Sequence, residues 1–312
     1  MKLEVKVMMN IGKLSAILAL ALTVGSATAP AQALQKPLNV VSSFSVIGEL
    51  VQKVGGDQVE NHVIVGPDSD SHTFEPTPQD GVALRNADLV VQNGLGFEPW
   101  LDRLYSASRS RGARLSVSET LGTLRMVGEE DAEEVDPHVW HDVQNVMQMV
   151  ETIRDVLILT DVANASTYQA NAAAYLMELR GIDTWVVQQT SQIPPAQRKL
   201  VTSHDTFGYF AQRYGFEIVG TALGSISTEV ADPSAGEITE LISDIKAARV
   251  PAIFAENVSN RRLIDQIATA AGVKLVPDLY TDAIGEAGTP GDSYVGMMRH
   301  NVTRIVEALS GT

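Results

Sequence analysis

The sequence contains no cysteine. That excludes disulfides, thiolate metal ligands and cysteine nucleophiles. It also excludes a lipid-modified cysteine as a membrane anchor. Beyond the first residues, no run approaches the roughly 20 apolar residues that span a bilayer. There is no His-Glu-x-x-His pair of a zinc protease, no phosphate loop and no nucleophile elbow. Positive charge is scarce: 23 Lys and Arg face 38 Asp and Glu, a formal −15. Such a surface repels nucleic acid and anionic lipid.

What is present begins with an address. Lys2, Lys6 and Lys13 precede an apolar stretch from Leu14 to about Val24, and small residues follow, ending in Ala31-Gln-Ala33. This is the layout of a secretory signal peptide cleaved after Ala33. With no anchoring cysteine, the exported chain is expected to be soluble in the periplasm. Residues 1–33 hold three Lys and one Glu, so the remainder carries about −17. About 280 residues remain, enough for two modest cores.

Strand-like and helix-like segments alternate along that remainder. β-rich runs at Leu38–Ser42, Val59–Val65, Asp88–Gln92 and Arg114–Val117 are separated by helical patterns such as Ile47–Val54 and Trp100–Arg109. The second half repeats the theme. Its strands are Leu200–Thr202, Ile218–Thr221, Ala252–Ala255 and Lys274–Leu279, and its helices Phe207–Tyr214, Ala235–Ala248 and Arg261–Ala271. The alternation predicts an α/β fold of two lobes, each a mostly parallel sheet flanked by helices. Between them, Tyr168, Ala172, Tyr175, Leu176, Leu179, Ile182 and Val186 keep helical spacing from Val162 to about Gln192. Asn164 or Asp161 is the expected cap and Pro194 the stop, for one backbone helix of roughly 45 Å. The expected division is signal peptide 1–33, amino-terminal lobe 34–160, linking helix 161–193 and carboxy-terminal lobe 194–312.

Three of the six histidines keep polar company. His72 lies in Asp68-Ser-Asp-Ser-His-Thr-Phe-Glu-Pro-Thr-Pro-Gln-Asp80, a loop after a strand. His138 lies in Asp136-Pro-His-Val-Trp-His-Asp142, and His204 in Leu200-Val-Thr-Ser-His-Asp205 at a strand end. Asp282 follows the strand Lys274–Leu279. Ligands of open α/β sheets bind at the carboxyl ends of strands. A single loop histidine is more often a surface or capping residue. Three imidazoles and a carboxylate at comparable places would form a four-ligand site suited to a borderline divalent ion, zinc foremost.

These residues carry a family resemblance. His72-Thr-Phe-Glu-Pro-Thr-Pro-Gln-Asp80, Asp136-Pro-His-Val-Trp140, Ser203-His-Asp-Thr-Phe-Gly-Tyr-Phe210 and Ser227-Thr-Glu-Val-Ala-Asp-Pro-Ser234 resemble signatures of the zinc/manganese-type periplasmic metal-binding proteins of ABC importers (cluster A-I). Ile253-Phe-Ala-Glu-Asn257 and Leu279-Tyr-Thr-Asp-Ala-Ile-Gly285 continue the likeness through nearly the whole chain. The resemblance implies a two-lobed receptor with a rigid linking helix and a metal in the cleft. Its ligand positions fall on His72, His138, His204 and Asp282. Manganese-type members commonly carry Glu where this chain has His204, so the cargo implied is Zn2+, with Mn2+ or iron as alternatives. The implied partners are a membrane permease and a periplasmic metallochaperone, with the receptor a monomer.

Two departures stand out. Zinc-type members often insert a His-rich loop before the second ligand. Here Val127-Gly-Glu-Glu-Asp-Ala-Glu-Glu-Val-Asp136 is acidic without histidine, and it reads as a solvated loop or a weak cation-collecting one around 129–134. His141 stands where the motif is usually apolar and is a candidate accessory ligand. Asp142, Asp205 and Glu256 are candidates to orient the ligating rings. His62 is expected on a strand edge and His300 solvated on the last helix. A metal-dependent adhesin is a rival reading, and a zinc hydrolase a weaker one.

Overall fold

The computed structural model describes residues 36–127 and 133–310. The proposed signal peptide and residues 128–132 of the acidic stretch lie outside these residues.

The first half is a parallel sheet built from β1 (Leu38–Phe44), β2 (Val59–Val65), β3 (Leu89–Gln92) and β4 (Ala113–Ser116), in the order β2-β1-β3-β4. Helices α1 (Ser45–Gly55), α2 (Pro78–Asn86) and α3 (Leu101–Ser108) are the crossovers that parallel pairing requires. Val40, Val41, Leu89, Val90 and Val91 are buried on both faces, which is why these strands read as apolar runs. The order reverses at β1, where α/β sheets place their ligands. α2 begins with a capping box in which Thr77 and Asp80 exchange hydrogen bonds, with Pro78 in its first turn.

The acidic stretch is flanked by a short strand pair. Its ends form β5 (Arg125–Val127) and β6 (Glu133–Val135), paired antiparallel. After the His138 turn come α4 (Val143–Thr160) and the long helix α5 (Ala165–Thr190). Its 26 residues span about 39 Å. The helix passes Gly181 without a break, and its buried stripe is Tyr168, Ala172, Tyr175, Leu176, Leu179, Ile182 and Val186. Each fully buried aliphatic side chain contributes roughly 1.5–3 kcal/mol. The expected cap is not made: Asn164 donates to Asp161 Oδ2 (2.7 Å), which Tyr168 also reaches.

The second half contains β7 (Lys199–Thr202), α6 (Gly208–Tyr214), β8 (Glu217–Thr221), α7 (Ala235–Ala248), β9 (Ala252–Glu256), α8 (Arg261–Ala271), β10 (Lys274–Leu279) and α9 (Tyr294–Leu309). β7 pairs with β8 and β9 with β10, both parallel, as two short pairs instead of one continuous sheet. The β9–β10 register shifts after Val276. There Pro277 lacks an N–H and Asp278 turns to φ +58°. α5 packs against α1 and α4 on one side of the chain order and α6 and α9 on the other. No helix among the described residues is long and apolar enough to cross a membrane.

Candidate metal centre

Four loops at strand ends converge on one point. The first leaves β2. In it Asp70 accepts the His72 backbone N–H (2.9 Å) and the Thr73 hydroxyl (3.1 Å). Asp70 also accepts the hydroxyl of Thr228, from the second half of the chain. Asp68, at φ +49°, accepts from Asn257 Nδ2 (2.7 Å) and from the Glu286 N–H (3.1 Å). The His72 loop is thus tied across the molecule.

His138 sits in a turn closed by Asp136, whose Oδ1 accepts both the backbone N–H (2.9 Å) and the ring Nδ1–H (2.8 Å). The first turn of α6 presses on this carboxylate. A Cβ on Gly208 would lie 2.6 Å from Asp136 Oδ2, so any larger residue there would displace this carboxylate. His204 follows β7. Glu256, the last residue of β9, accepts its Nδ1–H (2.5 Å) and the backbone N–H groups of Ser203 and His204. Asp282 follows β10, where Asn301 of α9 pairs with both backbone groups of Tyr280.

One donor atom from each of His72, His138, His204 and Asp282 lies within 4.8 Å of all the others. Asp282 Oδ2 is 3.0 Å from His204 Nε2 and 3.4 Å from His72 Nε2. Asp282 Oδ1 is 3.6 Å from His138 Nε2, and the Nε2 atoms of His72 and His138 are 3.4 Å apart. Tetrahedral zinc with bonds near 2.0–2.1 Å has ligand–ligand edges of about 3.3 Å. His204 Nε2 and Asp282 Oδ2 are buried and have no partner besides their contact with each other and the 3.4 Å contact of Oδ2 with His72 Nε2. Carboxylates on Nδ1 of His138 and His204 turn Nε2 of each ring toward the centre, an arrangement typical of ligating histidines. Phe97 and Trp140 wall the site, their ring centroids 4.9 Å from His72 and 5.3 Å from His138.

Burial alone would raise Asp282, yet the His204 and His138 imidazoles hold its carboxyl well below the usual range. Burial also opposes charge on His204, yet Glu256 and Asp282 hold that imidazole well above its usual range. Three nitrogens and one oxygen form a donor set for a borderline transition-metal ion and a poor one for Mg2+ or Ca2+.

The other sequence candidates fall differently. Glu256 orients His204. His141 is not in the quartet; its Nε2 meets Thr206 Oγ1 at 3.1 Å. Asp142 caps α4 through the Gln144 N–H and lies 3.4 Å from Arg213. Asp205 touches no ligand ring by a hydrogen bond; burial and then Asp136 push its carboxyl up to about 7. His62 is on the edge strand β2, 3.7 Å from Asp80. His300 is half-buried, with Nε2 donating to the Asp278 carbonyl (3.0 Å), and so is less solvated than expected. Sequence reasoning missed the role of Asp136. Its signal was a carboxylate two residues before a histidine across a proline.

The family model described as zinc-uptake complex component A, periplasmic, matches residues 40–308. The chain is 35% identical over 273 residues to the manganese-binding lipoprotein MntA of Halalkalibacterium halodurans, covering 88% of this chain and 89% of that one. It is 34% identical over 280 residues to the zinc-binding protein TroA of Treponema pallidum, with the same coverage. The solved TroA structure superposes with a TM-score of 0.81 at 33% identity, over 88% of this chain and 99% of that one. The iron ABC transporter substrate-binding lipoprotein MtsA of Streptococcus pyogenes serotype M1 is 29% identical over 291 residues, covering 91% and 93%.

Proposed function

The chain belongs to the zinc-uptake complex component A family, and we propose that it captures a divalent transition-metal ion, zinc first, at His72, His138, His204 and Asp282. It delivers that ion to the membrane permease of an ABC importer from the periplasm. In this reading residues 34–160 and 194–312 are two lobes and 161–193 carries the helix that joins them. The observation that carries the reading is the buried N3O cluster, with Glu256 and Asp136 already seated behind two of its rings.

Zinc rests on His204. A third imidazole in place of a carboxylate moves the site toward the softer ion. Manganese is the second reading, favoured by the 35% identity to a relative named for manganese. A hydrolase would need a free general base beside the ion. Asp136 and Glu256 are both committed to ligand rings, which favours a receptor.

Competitive titration of zinc and manganese on chelator-stripped protein, repeated with His204→Glu, tests the choice. The parent should prefer zinc by more than about tenfold, and the variant should lose most of that preference. Equal affinities in the parent would replace zinc with a receptor for either ion.

A further inference from the structure

α6 begins four residues after His204, in the second half of the chain, yet its anchors lie elsewhere. In its first turn Gly208 abuts Asp136 Oδ2. The next hydroxyl, of Tyr209, donates to the Asp136 carbonyl (2.9 Å) and accepts the Leu124 N–H (3.0 Å). Asp136 is the carboxylate behind the His138 ring. In the last turn of α6, Arg213 lies 2.6 Å from Asp183 Oδ2 of the long helix and 3.4 Å from Asp142 Oδ1 at the head of α4. Tyr214 OH donates to Asp183 Oδ1 (3.0 Å), and Gln144 Nε2 donates to Oδ2 (2.8 Å). Asp183 is thus a buried carboxylate with three donors, and an ion pair of that kind is costly to break.

The apolar packing divides in the same way. Phe207, Tyr209, Phe210 and Tyr214 enter the core that holds Trp140 and Val143. Leu241 and Ile245 of α7 and Ile264 and Ile267 of α8 form a separate core with Val201. α6 is therefore fixed at both ends to the His138 turn, α4 and α5, while its leading end runs back to His204. We propose that α6 is a strut that couples two ligands, with Tyr209 and Arg213 as positioning residues. They seat Asp136 behind His138 and hold the His204 turn in register with it, so that a shift of α6 slackens both rings at once. This rests on the receptor reading above.

Tyr209→Phe removes both hydroxyl bonds at nearly constant shape, and Arg213→Met removes the far anchor but keeps the stem. Each should speed zinc release to a chelator, followed by stopped flow, by roughly tenfold, the low end for residues that orient ligands. Both act through one element, so the double variant should fall well short of the product of the two factors. Arg213→Lys can still pair with Asp183 and should recover most of the parent rate. Ile264→Ala, in the separate core, should lower thermal stability as large-to-small changes do, yet leave release within about twofold of the parent. Release within about twofold of the parent in both single variants, or factors that multiply in full in the double variant, would overturn the strut. So would an equal acceleration in Ile264→Ala. None of these results touches the receptor reading, which a parent that fails to bind zinc at one ion per chain would overturn.

Discussion

His72 and His204 offer the same ring nitrogen to the same centre but are held in opposite ways. His204 is gripped at its far nitrogen and its backbone by Glu256, with no exposed surface. His138 is held likewise by Asp136. No described residue hydrogen-bonds Nδ1 of His72. Its loop is secured through backbone and hydroxyl bonds to Asp70 and through Asp68. His72 is 6% exposed, and a cleft of about 610 Å3 opens beside it, lined by Phe74, Trp100 and Glu229 among others. The difference teaches a division of labour. His138 and His204 form, with Asp282, a cradle held at its ring nitrogens, and His72 is an arm held only through its loop. Trp140 Nε1 donates to the Thr281 carbonyl (2.9 Å) and Tyr294 OH to the Trp140 carbonyl (2.8 Å), bolting the cradle across the two halves.

The largest effect that tests this comparison is Asp282→Ala. It removes a ligand and the countercharge of His204 together. Zinc affinity should fall by well over 100-fold, beyond what an orienting residue costs. His72→Ala should cost less, because the cradle survives.

Glu256→Gln comes next. The amide cannot hold the imidazole as a carboxylate does, and zinc affinity should fall about 10–100-fold. Asp70→Ala should lower affinity by less than about tenfold, with most of the change in the rate of release to a chelator in stopped-flow measurements. If Asp70→Ala cost more affinity than Glu256→Gln, the cradle-and-arm distinction would break.

Many of these features were legible in the residues, and the failures have physical causes. The bounds of β2, α7, α8 and β10 agree with the sequence pattern to the residue, and the buried stripe of α5 is the one its apolar spacing predicts. Both depend on local periodicity. The β5–β6 strand pair was not legible because three of its six residues are charged and mask strand alternation. The cap of α5 was misplaced because Asn164 found a better partner in Asp161 than in the helix N–H groups. At the centre, residue types and motif order singled out the four side chains, but 210 positions separate His72 from Asp282, and only the fold brings their atoms together. The role of Asp136 was hidden because it acts by a 2.8 Å bond to the His138 ring that no spacing rule encodes.

The smallest effect is one of pH, and it separates His204 from the rest of the site. In the metal-free protein, folding raises the His204 pKa above that of the unfolded chain. The stability this contributes is fully present below about 6.5, the unfolded value. It is lost as pH rises through the raised folded value. Metal-free protein should therefore lose thermal stability between about pH 6.5 and alkaline pH, and His204→Gln should flatten that slope. Zinc affinity should move the opposite way and rise with pH, because the ion must displace the His204 proton. A metal-free stability curve with the same slope in His204→Gln would contradict the assignment.

The most direct test of the central claim is X-ray absorption on protein loaded with one zinc per chain. The account predicts three imidazole nitrogens and one carboxylate oxygen at roughly 2.0–2.2 Å, with the oxygen lost in Asp282→Ala. A shell with fewer than three imidazoles, or one unchanged by Asp282→Ala, would contradict it.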